Sequence, residues 1–202
     1  MIDYNNRAVL IGKVDEETTY SHTIANTSFY TTGIIIHRLS GVGDNVPLLV
    51  NEKYIEILEK SRHQIICIQG EMRSHMVPVT KKLLLFVLVK EVITNISETT
   101  KQSNNILLDG FICKNALFRV TPLGRKITDF ILAVNHSNGR SSYIPCICWG
   151  KNARNIIDLP VGAKIEVVGR IQSREYTKII DDNISEKRTA IEVSIRQIKE
   201  VS

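Results

Sequence analysis

The sequence has no long apolar run, and no leader is expected at its start. Its first residues, Met1-Ile2-Asp3-Tyr4-Asn5-Asn6, carry neither the basic n-region nor the apolar h-region of a signal peptide. The longest apolar run, residues 83–89, is seven residues, far short of the roughly 20 that a membrane-spanning helix needs. No membrane contact is expected, and a cytoplasmic location is. Cysteine is scarce: Cys67, Cys113, Cys146 and Cys148 are the only four, all within β-branched segments where a reduced thiol serves as a small core hydrophobe. Cys146 and Cys148 share one strand face, yet no second Cys or His pair stands at ligand spacing, so neither a metal nor any other cofactor is expected. Paired carboxylates are also missing. Asp129, Asp158 and Asp181-Asp182 form no constellation for a metal-dependent nuclease, and Asp181-Asp182-Asn183 reads as a turn. Gly41-Val42-Gly43 is followed by no Lys-Ser/Thr at phosphate-loop spacing. The chain is therefore read as non-enzymatic. What remains is a globular composition, 43% hydrophobic and 23% charged over 202 residues.

The sequence repeats itself. Val9-Leu10-Ile11-Gly12-Lys13-Val14 matches Leu107-Leu108-Asp109-Gly110-Phe111-Ile112 at an offset of 98, and Ile65-Ile66-Cys67-Ile68-Gln69-Gly70 matches Lys164-Ile165-Glu166-Val167-Val168-Gly169 at 99. The closing segments, Leu88-Val89-Lys90-Glu91-Val92 and Gln197-Ile198-Lys199-Glu200-Val201, lie 109 apart, so the second copy carries about ten extra residues between its last two strands. Each copy consists of short β-branched runs separated by turn residues, with one helical segment, at residues 52–60 and 152–157. Five strands with a helix between the third and fourth outline an OB-fold, a small Greek-key barrel. The expectation is an all-β chain of two tandem OB-fold barrels: residues 1–95, a polar linker at 96–104, and residues 105–202.

Charge falls on one copy. Residues 1–97 hold ten Lys/Arg and ten Asp/Glu, whereas residues 98–202 hold sixteen and eleven, so the whole formal charge of +5 lies in the second copy. That copy is expected to meet a polyanion. Strand alternation adds detail. With Ile165, Val167 and Ile171 inside, Arg170, Gln172, Arg174 and Tyr176 project from the opposite face; with Ile144, Cys146 and Cys148 inside, Tyr143, Ile147 and Trp149 do. Such a face offers π-surfaces for unpaired bases and cations for phosphates.

The second copy resembles the bacterial single-stranded DNA-binding protein family through an ordered set of motifs. They are Leu107-Leu108-Asp109-Gly110, Arg119-Val120-Thr121-Pro122-Leu123-Gly124, Thr128-Asp129-Phe130-Ile131-Leu132-Ala133-Val134-Asn135, Cys148-Trp149-Gly150-Lys151-Asn152-Ala153 and Val167-Val168-Gly169-Arg170-Ile171-Gln172-Ser173-Arg174-Glu175-Tyr176. The resemblance covers residues 105–201. It implies an oligomerising OB barrel that wraps single-stranded DNA, with Tyr143, Trp149 and Tyr176 where the family places base-stacking aromatics. Arg170, Gln172, Arg174, Lys151, Arg154 and Arg119 complete the expected nucleic-acid surface. A further stacking position of the family falls near Asn138, which is not aromatic. Since the family brings four barrels together, a homodimer of this two-barrel chain is expected.

At an offset of 99 the first copy carries Asp44, Val50 and Val77 opposite Tyr143, Trp149 and Tyr176, and Glu71 opposite Arg170. It reads as a structural or oligomerising partner that has lost its platform, with Glu71 repelling phosphates. The chain ends at Lys199-Glu200-Val201-Ser202, without the acidic tail that the resemblance makes the recruiter of replication and repair enzymes. An accessory, nucleoid-associated role in replication, recombination or repair follows from that reading. The competing reading is a primosome-type module that docks replication proteins and binds DNA weakly.

Overall fold

A computed structural model describes residues 4–201, apart from Glu98, Pro122, Asp182 and Asn183. The turn expected at Asp181-Asp182-Asn183 therefore lies outside the described residues. Twelve strands are described. The first half holds β1 (Asn6–Lys13), β2 (Thr19–Ile24), β3 (Thr27–His37), β4 (Gly43–Asn51), β5 (Ile65–Met76) and β6 (Leu83–Ile93), with a 3-10 turn (Glu52–Tyr54) and α1 (Ile55–Lys60) after β4. The second holds β7 (Ser103–Ile112), β8 (Leu117–Val120), β9 (Lys126–Asn135), β10 (Ser141–Trp149), α2 (Lys151–Ile157), β11 (Lys164–Asp181) and β12 (Ile184–Glu200). Neither helix is long enough to cross a membrane.

Two boundaries differ from the sequence reading. Each half has six strands, because an extra edge strand, β2 or β8, folds back on its neighbour as a hairpin. Ser103 and Asn104 are strand residues, because the pairing of β7 with β1 claims them from the linker.

In both halves five strands close through backbone pairing, β1-β3-β4-β6-β5-β1 and β7-β9-β10-β12-β11-β7. Alternation builds the interiors. In β1, Ala8 and Leu10 are buried; in β4, Val46, Leu48 and Val50; in β10, Ile144, Cys146 and Cys148. Gly12 and Gly110 mark two equivalent tight crossings. A Cβ at either would collide with a carbonyl oxygen, of Ile35 or of Ala133, residues 98 apart like the glycines themselves.

The halves join along β1 and β7, antiparallel from Asn6↔Leu108 to Ile11↔Ser103. The junction is pseudo-twofold. The Asn6 amide donates to Met72 O and its Oδ1 accepts from Met72 N, as Asn104 does with Ile171. Ser74 N donates to Ser142 Oγ at 3.0 Å while Ser74 Oγ accepts from Tyr143 N at 2.8 Å; Ser173 N donates to Asp44 Oδ1 at 2.9 Å while its Oγ accepts from Asn45 N at 3.2 Å.

Candidate nucleic-acid interface

The register assigns equivalent positions that the sequence offset blurred. Ile34↔Val46 and Leu132↔Ile144 both obey a shift of 98, so Tyr143 and Trp149 correspond to Asn45 and Asn51, not to Asp44 and Val50. Val50 is an interior residue, and Asp44 is buried in an ion pair with Arg38. From β5 onward the shift is 99, because one residue is added between β10 and β11, so Arg170 does correspond to Glu71. Neither Asn45 nor Asn51 offers a ring; Asn51 accepts from Lys53 N and starts the 3-10 turn.

Trp149 lies at the end of β10, 37% exposed, before Gly150 turns the chain into α2 at φ 58°. Around it Arg125, Arg170, Ser194, Ile195 and Arg196 line a concavity of about 400 Å³. The structure thus brings together Trp149 and Arg170, which were expected, with Arg125 and Arg196, which were not. The Arg196 guanidinium donates to Asn105 Oδ1 and to Gly169 O, and Arg170 to Gln172 Oε1 at 3.3 Å. Among the described residues none of the three arginines forms an ion pair with a carboxylate. Burial lowers the Arg170 pKa, and the charges of Arg38 and Arg196 push it the same way, with Asp44 opposing.

The same place in the first half is chemically inverted. Glu71 stands where Arg170 does, 1% exposed, between Arg73 and Lys90, the latter 3.4 Å away. The expectation that Glu71 repels phosphates is corrected: its buried charge is spent on two partly buried cations. By the bulges that pair Gly70 with Val89 and Gly169 with Ile195, Lys90 corresponds to Arg196, and Arg73 to Gln172.

The other expected residues are spread out. Tyr143, 51% exposed, is six residues from Trp149 on β10, roughly 20 Å along an extended strand. Tyr176 is 38% exposed, with the Arg174 guanidinium 5.8 Å from its ring centroid. Arg174 also lies 4.0 Å from Glu192. Gln172 does not project freely: it is 6% exposed and donates to Glu192 Oε1 at 2.6 Å. Ile147, placed outside by alternation, is buried within the outer row formed by Asp129, Ile147 and Ser194. Arg119 grips Asp129 through Nε at 2.5 Å and Nη2 at 3.3 Å, which raises its pKa. Lys151 and Arg154 are exposed on α2, beside the Trp149 end. The Cys146 and Cys148 thiols are buried, which raises both pKa values, that of Cys148 to about 12.

The duplicated, mostly β chain with few helices has counterparts among known proteins. Residues 103–201 fit the model of the single-strand binding protein family, and it is the second half of the chain that belongs to that family. A single-stranded DNA-binding protein 3 of Streptococcus agalactiae is 36% identical over 80 residues, 36% of this chain and 58% of the relative. A single-stranded DNA-binding protein of Streptococcus pyogenes is 35% identical over 97 residues, 40% of this chain and 60% of the relative. The chain thus spans under two thirds of the length of these curated relatives. The crystal structure of the wild-type single-stranded DNA binding protein from Thermus aquaticus superposes with a TM-score of 0.74 at 17% identity, over 98% of this chain and 93% of that one. That likeness spans both halves and establishes a shared fold.

Proposed function

We propose that the chain is a non-enzymatic, largely sequence-independent single-stranded DNA-binding protein, built as two tandem OB barrels, residues 1–95 and 103–202 joined at 96–102. The second barrel carries the main site. Bases stack on Trp149, Tyr143 and Tyr176 while Arg125, Arg170, Arg196 and Arg174 neutralise phosphates, a division of labour that needs unpaired bases but no particular sequence. The observation that carries this reading is the Trp149 concavity. Three arginines without a carboxylate partner among the described residues converge on the one tryptophan, at the position where the neutral first half holds Glu71, Arg73 and Lys90 in mutual compensation. A cationic cluster of this kind is stabilised by a bound polyanion.

Two such chains, four barrels in all, form a homodimer, so light scattering should report twice 22.8 kDa. The protein acts in the cytoplasm on nucleoid DNA during replication, recombination or repair. The deciding experiment is fluorescence titration of Trp149, the single tryptophan, with a thymine homopolymer and with duplex DNA of equal length. Quenching by the single strand and little by the duplex is expected; equal response to both, or none, refutes the reading.

A further inference from the structure

The first half has its own cluster of rings, on the edge hairpin that the sequence reading did not separate out. Of its six Phe and Tyr residues, Tyr20, Phe29 and Tyr30 all lie on β2 and β3, together with His22. The turn between these strands has two residues, Ala25 at φ 47° and Asn26 at φ 60°, the backbone of a tight hairpin that twists with its strands. A bulge between Tyr20 and His22 brings His22 opposite Phe29. The two rings stack, 5.4 Å between centroids and 15° between planes, and Ser21 Oγ lies 2.9 Å from His22 Nδ1, which fixes the imidazole.

The position of this pair matters. Phe29 is the cross-strand partner of Asn51, and Asn51 is the equivalent of Trp149. In the second half the partner of Trp149 is Ile127, buried, with Arg119 beyond it. The first half therefore has an aromatic ring on the same face and in the same row as the second, one strand further out, a displacement of about 4.8 Å. Both rings of the pair are half-buried, and the interior of this half is almost entirely aliphatic, so they do not serve as core. The nearby Glu52 carboxylate accepts from Ser28 N at 3.1 Å. This half is electrically neutral, and it holds Glu71 beside Lys90 where the second half has Arg170 beside Arg196.

We propose that His22 and Phe29 form a second stacking patch, which takes one unpaired base of the strand already held at Trp149 and adds affinity without adding phosphate neutralisation. The inference rests on the single-strand reading above, and its test separates the two. The full chain is titrated with thymine oligomers of about 8 and about 35 nucleotides, the first short enough for one barrel and the second long enough for both. Trp149 fluorescence is the readout, at several salt concentrations.

Phe29→Leu keeps apolar volume but removes the flat ring. It should weaken the long oligomer about 5- to 150-fold, the value of one base stack, leave the short one unchanged, and leave the salt slope unchanged. His22→Ala should act in the same direction, and Phe29→Tyr, which keeps the ring, should restore the wild-type value. Wild-type affinity of Phe29→Leu for the long oligomer overturns the patch, and so does equal loss for both lengths, which would mean that Phe29 acts through folding. In either case Trp149 quenching in the wild type leaves the single-strand reading standing. An unresponsive Trp149 in the wild type sinks both.

Discussion

Exchanging Arg170 for the residue that its twin position holds should remove two cations rather than one. In the first half Glu71 lies 3.4 Å from Lys90, and Lys90 corresponds to Arg196. Arg170→Glu should therefore pair with Arg196 and cancel it, whereas Arg170→Ala removes only itself. Each phosphate neutralised on a single strand contributes about −0.7 to the slope of log K against log salt. The alanine variant should flatten the slope by about 0.7 and the glutamate variant by about 1.4. Over a fourfold rise in salt these correspond to about 2.6-fold and about 7-fold less loss of affinity than the wild type suffers. The assay is Trp149 fluorescence with a thymine homopolymer across salt concentrations. The fold should tolerate the change, because the first half already buries a glutamate at this position beside the same kind of partner. Equal slopes for the two variants would show that Arg196 holds no phosphate; an unchanged slope for both would remove the concavity from the binding surface.

Replacing Trp149 by Leu should cost roughly 1 to 3 kcal/mol of single-strand affinity with little loss of melting temperature, since the ring is 37% exposed; a cooperative loss of fold would make it a core residue instead, and intrinsic tyrosine fluorescence can follow both. Gly110→Ala should destabilise the chain by more than about 1 kcal/mol in urea titration, because the added Cβ meets the Ala133 carbonyl oxygen, while Gly124→Ala, at an open turn, should show only the smaller cost of its positive φ. Stability should fall at alkaline pH. Burial raises the Cys148 pKa from 9.0 to about 12, so below pH 9 both states keep the proton, and between about 9 and 12 only the unfolded state loses it. Each pH unit in that window then costs about 1.4 kcal/mol from this thiol; denaturation at pH 8 and pH 10, with Cys148→Ala as control, checks the sign.

Much of this was legible in the sequence because the interior is periodic. Alternation placed Trp149, Tyr143, Arg170, Arg174 and Tyr176 on outward positions, and paired motifs such as Gly12 and Gly110 revealed the duplication. What alternation cannot see is coverage. It gives the side of a strand on which Ile147 or Gln172 lies, not that neighbouring rows bury the one and Glu192 engages the other. Nor does it survive a bulge. Arg196 sits where the pairing of β11 with β12 shifts beside Gly169, so its direction depends on the ladder and not on counting. Arg125 precedes β9 and has no strand parity at all. The hairpin of β2 and β3 was missed because its turn is Ala25-Asn26 without glycine, although the rings flanking it, Tyr20 and His22 against Phe29 and Tyr30, were available as a signal. The one-residue error at Tyr143 and Trp149 came from applying the later offset of 99 to strands that still obey 98.

The two halves share their interior and their mutual clasp, and differ where side chains point outward. Ser74 and Ser173, equivalent residues, each tie one half to the other through a backbone N–H and a hydroxyl, so the first half holds the backbone of Tyr143 and of the strand that carries Arg170 and Arg174. Asp44 illustrates the cost of this arrangement. Its buried carboxylate is satisfied by Arg38 and by Ser173 N, which brings the Arg38 charge close enough to lower the pKa of Arg170. Asp44 offsets most of the Arg38 charge, so what remains unfavourable for the free protein is the partial desolvation of Arg170 beside Arg196. The first half avoids the same penalty by placing Glu71 at the twin position. Two like charges kept together, on the half that matches the single-strand binding family, are the arrangement that the proposed polyanion would relieve.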